Sequence, residues 1–141
     1  MSEKPFATGH CLCGAVSFSV AAEPVATVQC HCTDCQRASG SGHLSIARFK
    51  RDDVTIAGEP STHSVTADSG NTVTRYFCPT CGSRLFSESS GRQGLLGVMA
   101  GVFDDHSWFD PKMVIFKRSQ PLWDITTEDV PHFDTLPPPA T

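Results

Sequence analysis

The sequence predicts a mainly β fold: a single small domain organised around zinc. Three observations carry that expectation. Short runs alternate apolar with polar residues, turn-forming residues recur between the runs, and seven cysteines stand in three close groups. At 141 residues the chain fits one core, because domains commonly run to about 100–150 residues. Hydrophobic residues make up 39% and charged residues 18%, a globular composition rather than a disordered or membrane-embedded one.

In order along the chain, Val16, Phe18 and Val20 alternate with Ala15, Ser17 and Ser19, and Leu44 and Ile46 alternate with His43 and Ser45; both runs read as half-buried strands. Further short strands are expected at 25–29, 54–57, 63–66, 72–77, 84–86, 95–100 and 113–116. Turn residues separate them at Ala57-Gly-Glu-Pro, Asp68-Ser-Gly-Asn and Ser90-Gly-Arg. The run from Gly94 to Gly101 is apolar but interrupted by glycine, which disfavours a helix and favours a buried strand. One short helix is expected after Thr33-Asp34, which can cap the backbone donors of the turn that follows, with Gly40 ending it.

The expected organisation is a leader at 1–5, a zinc domain at 6–125 and a proline-rich extended tail at 126–141, pinned to the surface by Trp123 or Phe133.

Eleven Lys plus Arg against fifteen Asp plus Glu give a net charge of -4, the wrong sign for a nucleic-acid or anionic-membrane surface. No segment approaches the roughly 20 apolar residues that span a bilayer, and the first residues lack the apolar centre of a secretory signal. The expected location is therefore the cytoplasm. Its reducing conditions, together with an odd cysteine count, favour metal binding over disulfides.

The groups are Cys11-Leu-Cys13-Gly14, Cys30-His-Cys32-Thr-Asp-Cys35 and Cys78-Pro-Thr-Cys81-Gly82. Cys13 and Cys81 each precede a glycine, which lets the backbone turn tightly past an ion and offer N–H groups to the sulfurs, whereas Cys35 precedes Gln36 at the start of the helix. The two alike pairs, Cys11, Cys13, Cys78 and Cys81, suit a closed four-thiolate structural zinc. Cys30, Cys32 and Cys35 are then three thiolates without a fourth, the count of a zinc with one position open to substrate. The other reading of this triplet is a second structural site completed by His31, His43 or His63, or a site without metal. His31 stands between two expected ligands, where its ring would point away from their ion.

Several enzyme classes are excluded. None of the six histidines is followed by glutamate at the second position, as a zinc deaminase requires. The chain also lacks His-Glu-x-x-His, Gly-x-Ser-x-Gly and a phosphate-cradling glycine loop.

The pattern resembles the GFA family, the glutathione-dependent formaldehyde-activating enzymes and CENP-V-like zinc proteins. The resemblance rests on Gly9-His-Cys-Leu-Cys-Gly-Ala-Val-Ser-Phe, on Cys30-His-Cys-Thr-Asp-Cys-Gln-Arg-Ala-Ser-Gly40 and on Arg75-Tyr-Phe-Cys-Pro-Thr-Cys-Gly-Ser-Arg-Leu-Phe86, in the family's order. It implies a tent-like β fold shared with a Rab exchange factor. It also implies a structural zinc on Cys11, Cys13, Cys78 and Cys81 and a catalytic zinc on Cys30, Cys32 and Cys35. The implied activity is that of a carbon–sulfur lyase, joining a small thiol such as glutathione to formaldehyde. Three thiolates soften the metal, so that a thiol suits its open position better than hydroxide does. Arg37, Arg48 and Arg51 are the cations nearest in sequence for a substrate carboxylate. The alternative function is a zinc-stabilised protein-interaction module without catalysis.

Overall fold

The computed structural model describes residues 4–138; the first three residues of the expected leader and the last three of the expected tail lie outside the described residues. The architecture is mainly β, in two sheets. In the smaller sheet β1 (Ala7–His10) and β2 (Ser17–Val20) make an antiparallel hairpin, and β5 (Val54–Ala57) pairs with the other edge of β2.

The larger sheet is built from β3 (Ala26–Cys30), β4 (Leu44–Lys50), β6 (Ser61–Thr66), β7 (Thr72–Phe77), β8 (Arg84–Ser89), β9 (Leu95–Met99) and β10 (Met113–Ile115). Its spatial order is β10-β3-β4-β9-β8-β7-β6, antiparallel throughout except where β10 lies parallel to β3.

Strand alternation decides what each face of the larger sheet carries. One face turns Ala47, Phe49, Phe86, Leu96 and Val98 onto Phe18 and Val20 of the smaller sheet and onto Val16 just before β2, forming the main core. Phe18 sits edge-on between Phe86 and Phe103, with ring centroids 5.3 and 5.2 Å away, a favoured aromatic geometry. The opposite face carries Val28, Cys30, Ile46, Met99 and Ile115, and with Cys35 these make a second buried cluster.

The 94–101 run is the strand β9 followed by a single 3-10 turn, as its glycines suggested. The helix α1 (Thr33–Ser39) exists and ends at Gly40, whose φ of 72° is the left-handed conformation of a C-terminal cap. Its N-terminal cap is neither Thr33 nor Asp34 but Cys32, whose sulfur accepts the Cys35 N–H. β1 was not expected from the sequence; its pattern has one buried residue among four. Of the two residues expected to pin the tail, Phe133 packs into the second cluster, while Trp123 is 70% exposed. Backbone bonds between Val114 and both Pro131 and Phe133 lay the tail beside β10.

Candidate metal centres

Cys11, Cys13, Cys78 and Cys81 converge, all four sulfurs lying within 4.8 Å of one another. Cys11 and Cys13 come from the turn between β1 and β2, Cys78 and Cys81 from the turn between β7 and β8. The Sγ separations of Cys11 to Cys13 and of Cys13 to Cys78 are both 3.7 Å. That is far longer than a disulfide bond of about 2 Å. It matches the edge of a thiolate tetrahedron, because metal–sulfur bonds of about 2.3 Å place the sulfurs about 3.8 Å apart. The donor set and its spacing therefore fit zinc.

Gly14 and Gly82 both hold positive φ, 82° and 79°, as the tight turns require. Their N–H groups do not face sulfur, however. Gly14 donates to the Cys11 carbonyl and Gly82 to the Cys78 carbonyl, while Val16 donates to Cys11 Sγ at 3.3 Å. Hydrogen bonds from Ser83, from its hydroxyl first and then its backbone, hold Cys81 down at about 5.

Cys30, Cys32 and Cys35 form a second group, with their sulfurs again within 4.8 Å of one another. Cys30 ends β3, Cys32 caps α1 and Cys35 lies in the first turn of α1. Among the described residues no histidine, aspartate, glutamate or fourth cysteine joins them. Hydrogen bonds from Cys30 and Cys35, outweighing burial, pull Cys32 down to about 3, and Arg75 adds attraction. The contact with Cys32, with burial, pushes Cys30 up to about 12, and contacts with Cys30 and Cys32 raise Cys35.

The histidines offered as completing ligands are engaged elsewhere. His31 is wholly buried, with Nδ1 at 2.8 Å from the Gly42 carbonyl and Nε2 at 3.2 Å from Thr126 Oγ1. His43 Nδ1 is 2.7 Å from Asp124 Oδ2, and the two imidazole rings meet edge to face. This His31, His43 and Asp124 group brings three potential ligand atoms together, a grouping no local pattern marks because Asp124 lies 81 residues from His43. The 2.7 Å contact is a hydrogen-bond length, well short of the spacing of about 3.3 Å between ligands 2.0–2.1 Å from a tetrahedral ion. The group braces the backbone behind the triplet. His63 lies on β6, at the far edge of the larger sheet from β3.

Arg37 is exposed on α1, and Arg51 donates to the Val54 carbonyl. Arg48 is half-buried on β4, on the same face as Cys30, as alternation from Leu44 opposite Cys30 dictates. The pair Asp104 and Asp105 is a turn device: Asp104 accepts from Thr8 and faces His10, and Asp105 accepts the Ser107 N–H.

A mainly β domain with a four-cysteine and a three-cysteine cluster, each capable of holding a metal ion, is thus the class this molecule represents. The family model described as "Glutathione-dependent formaldehyde-activating enzyme" matches residues 6–119, and the chain belongs to that family. A provisionally named glutathione-dependent formaldehyde-activating enzyme of Penicillium rubens is 28% identical over 113 residues, which is 78% of this chain and 59% of that protein. The chain thus spans about three fifths of the curated relative's length. A Rhodobacter sphaeroides protein solved by crystallography as a structural-genomics target shares the fold, with a TM-score of 0.56 at 20% identity over 69% of this chain and 87% of that one. Among the described residues no helix is long and apolar enough to cross a membrane.

Proposed function

We propose that this chain is a two-zinc carbon–sulfur lyase-type enzyme that joins a small thiol such as glutathione to an aldehyde such as formaldehyde, or cleaves the adduct. The observation that carries this reading is the count at the second cluster: three sulfurs and no fourth ligand among the described residues. Cys11, Cys13, Cys78 and Cys81 hold a structural zinc, and Cys30, Cys32 and Cys35 hold the catalytic one. The working unit is residues 6–125, with 1–5 a leader and 126–141 an extended tail, and the protein acts in the cytoplasm, where its thiols stay reduced.

Zinc bound at the triplet supplies a soft acceptor that keeps a substrate sulfur ionised at neutral pH. The chain's own part is to hold three sulfurs on two rigid elements, the end of β3 and the start of α1, so that the open position faces the same way in every molecule. The buried surroundings formed by Ile46, Met99 and Ile115 limit water beside that position. In the net reaction a sulfur–carbon bond forms, the carbonyl π bond opens, and the thiol proton ends on the former carbonyl oxygen.

The test is cobalt substitution. Adding glutathione to protein loaded at both clusters is expected to intensify the sulfur-to-metal charge-transfer absorption. A spectrum unchanged by glutathione and by other small thiols would leave the non-catalytic interaction module as the better reading.

A further inference from the structure

The face of the larger sheet that carries Cys30 also carries a row of residues directly opposite one another on successive strands. Arg48 of β4 faces Gly97 of β9, Gly97 faces Ser87 of β8, and Ser87 faces Arg75 of β7. Two arginines therefore flank a floor made of a hydrogen atom and a hydroxymethyl group. That floor is closely fitted: a methyl group on Gly97 would stand 2.9 Å from Ile46 Cγ2 and 3.0 Å from Ser87 Oγ. Arg92 joins Arg48, Ser87 and Gly97 around a recess at the Arg48 end of this row, and Arg75 stands at the row's other end.

All three arginines are half-buried, yet among the described residues none forms an ion pair, and none donates a side-chain hydrogen bond. Burial, with Arg92 repelling it, pushes the Arg48 guanidinium down to about 10. Glu88 lines the recess but takes the Tyr76 hydroxyl, a residue of the opposite face. Half-buried guanidiniums that no carboxylate bonds, two of them close enough to repel each other, carry a desolvation and repulsion cost, and a bound carboxylate relieves both.

We infer that Arg48 and Arg75, assisted by Arg92, form a carboxylate clamp that selects thiol substrates bearing an acidic group remote from the sulfur. This rests on the reading of the cysteine triplet as the thiol site. The spacing sets the size of the substrate. Arg48 is four residues along β4 from Leu44, the partner of Cys30, hence about 14 Å away in the backbone at 3.4 Å per residue. The reach of an arginine side chain reduces the gap to roughly 8 Å, which a peptide-sized thiol acid spans and cysteamine does not.

Two titrations separate the clamp from the thiol site. In cobalt-loaded protein, glutathione is expected to reach its spectroscopic midpoint at about tenfold lower concentration than its diethyl ester, as one charge-assisted hydrogen bond warrants. Arg48→Gln or Arg75→Gln should abolish that preference, raising the glutathione midpoint and leaving the ester's unchanged, in variants whose unfolding midpoint stays at the wild-type value. Equal midpoints for acid and ester in the wild type would overturn the clamp, as would equal shifts of both in the variants. S-methylglutathione, which has no free thiol, should bind by calorimetry and lose binding in Arg48→Gln. If it binds so while no thiol alters the cobalt spectrum, the thiol site fails and the clamp stands; if it does not bind, the clamp fails.

Discussion

His31 lies in the sequence between two cysteines of the triplet, yet its ring serves neither of them. Both ring nitrogens are spent on Gly42 and Thr126, and with 0% exposure the side chain has no water to replace those partners. Gly42 is required beside it: a Cβ there would meet the Asp124 carboxylate carbon at 2.4 Å and push that acid off His43. A His31→Gln variant keeps polarity but loses ring volume and at least one hydrogen bond, and should cost about 2–3 kcal/mol. Denaturant unfolding measures the loss. Cobalt affinity at the triplet should fall in the same variant while that of the four-cysteine cluster holds, because only the triplet shares its backbone with residue 31.

At the scale of elements, α1 begins on a cysteine that is both its cap and a member of the triplet. Serine is among the best helix caps, so Cys32→Ser should stay folded and melt cooperatively, giving up only the stabilisation from the triplet's metal, while losing the cobalt signal of the triplet. Cys32→Ala removes the cap as well and should lie about 1 kcal/mol below Cys32→Ser, read as a lower midpoint in the same thermal scan.

The sequence disclosed most of these elements because their signals are local: alternation for β2 and β4, glycine-broken apolarity for β9, and Gly40 for the end of α1. The two cysteine clusters were legible for the same reason, since each group is compact in sequence and repeats a knuckle or a count. β1 was hidden because only one of its four residues is buried, so no alternation marks it. Cys32 is not legible as a cap because sulfur is an uncommon acceptor in that role. The bracing of His31 by Thr126 and the row from Arg48 to Arg75 depend on partners 95 and 27 residues apart, or on register across four strands, and no local pattern carries that information.

For the whole molecule, the four-cysteine cluster joins a turn of the smaller sheet to a turn of the larger one, whereas the triplet sits within one corner of the larger sheet. Losing the first should therefore loosen the packing of sheet on sheet. Cys78→Ser, at a wholly buried position, is expected to lose metal-linked folding energy on the order of 10 kcal/mol and to yield no cooperative unfolding transition. Native mass spectrometry should count two zinc ions in the wild type, one in Cys32→Ser and a broad, unfolded charge distribution for Cys78→Ser. A compact, cooperatively melting Cys78→Ser protein would contradict the structural role.

The parallel pairing of β10 with β3 adds an order of events during synthesis. The cysteines of the four-sulfur cluster have all been made once residue 81 is added, but the outer edge of β3 and the Thr126 partner of His31 come from residues 113–126. On the ribosome the triplet therefore lacks its β10 and Thr126 braces after the first cluster already has every sulfur it needs.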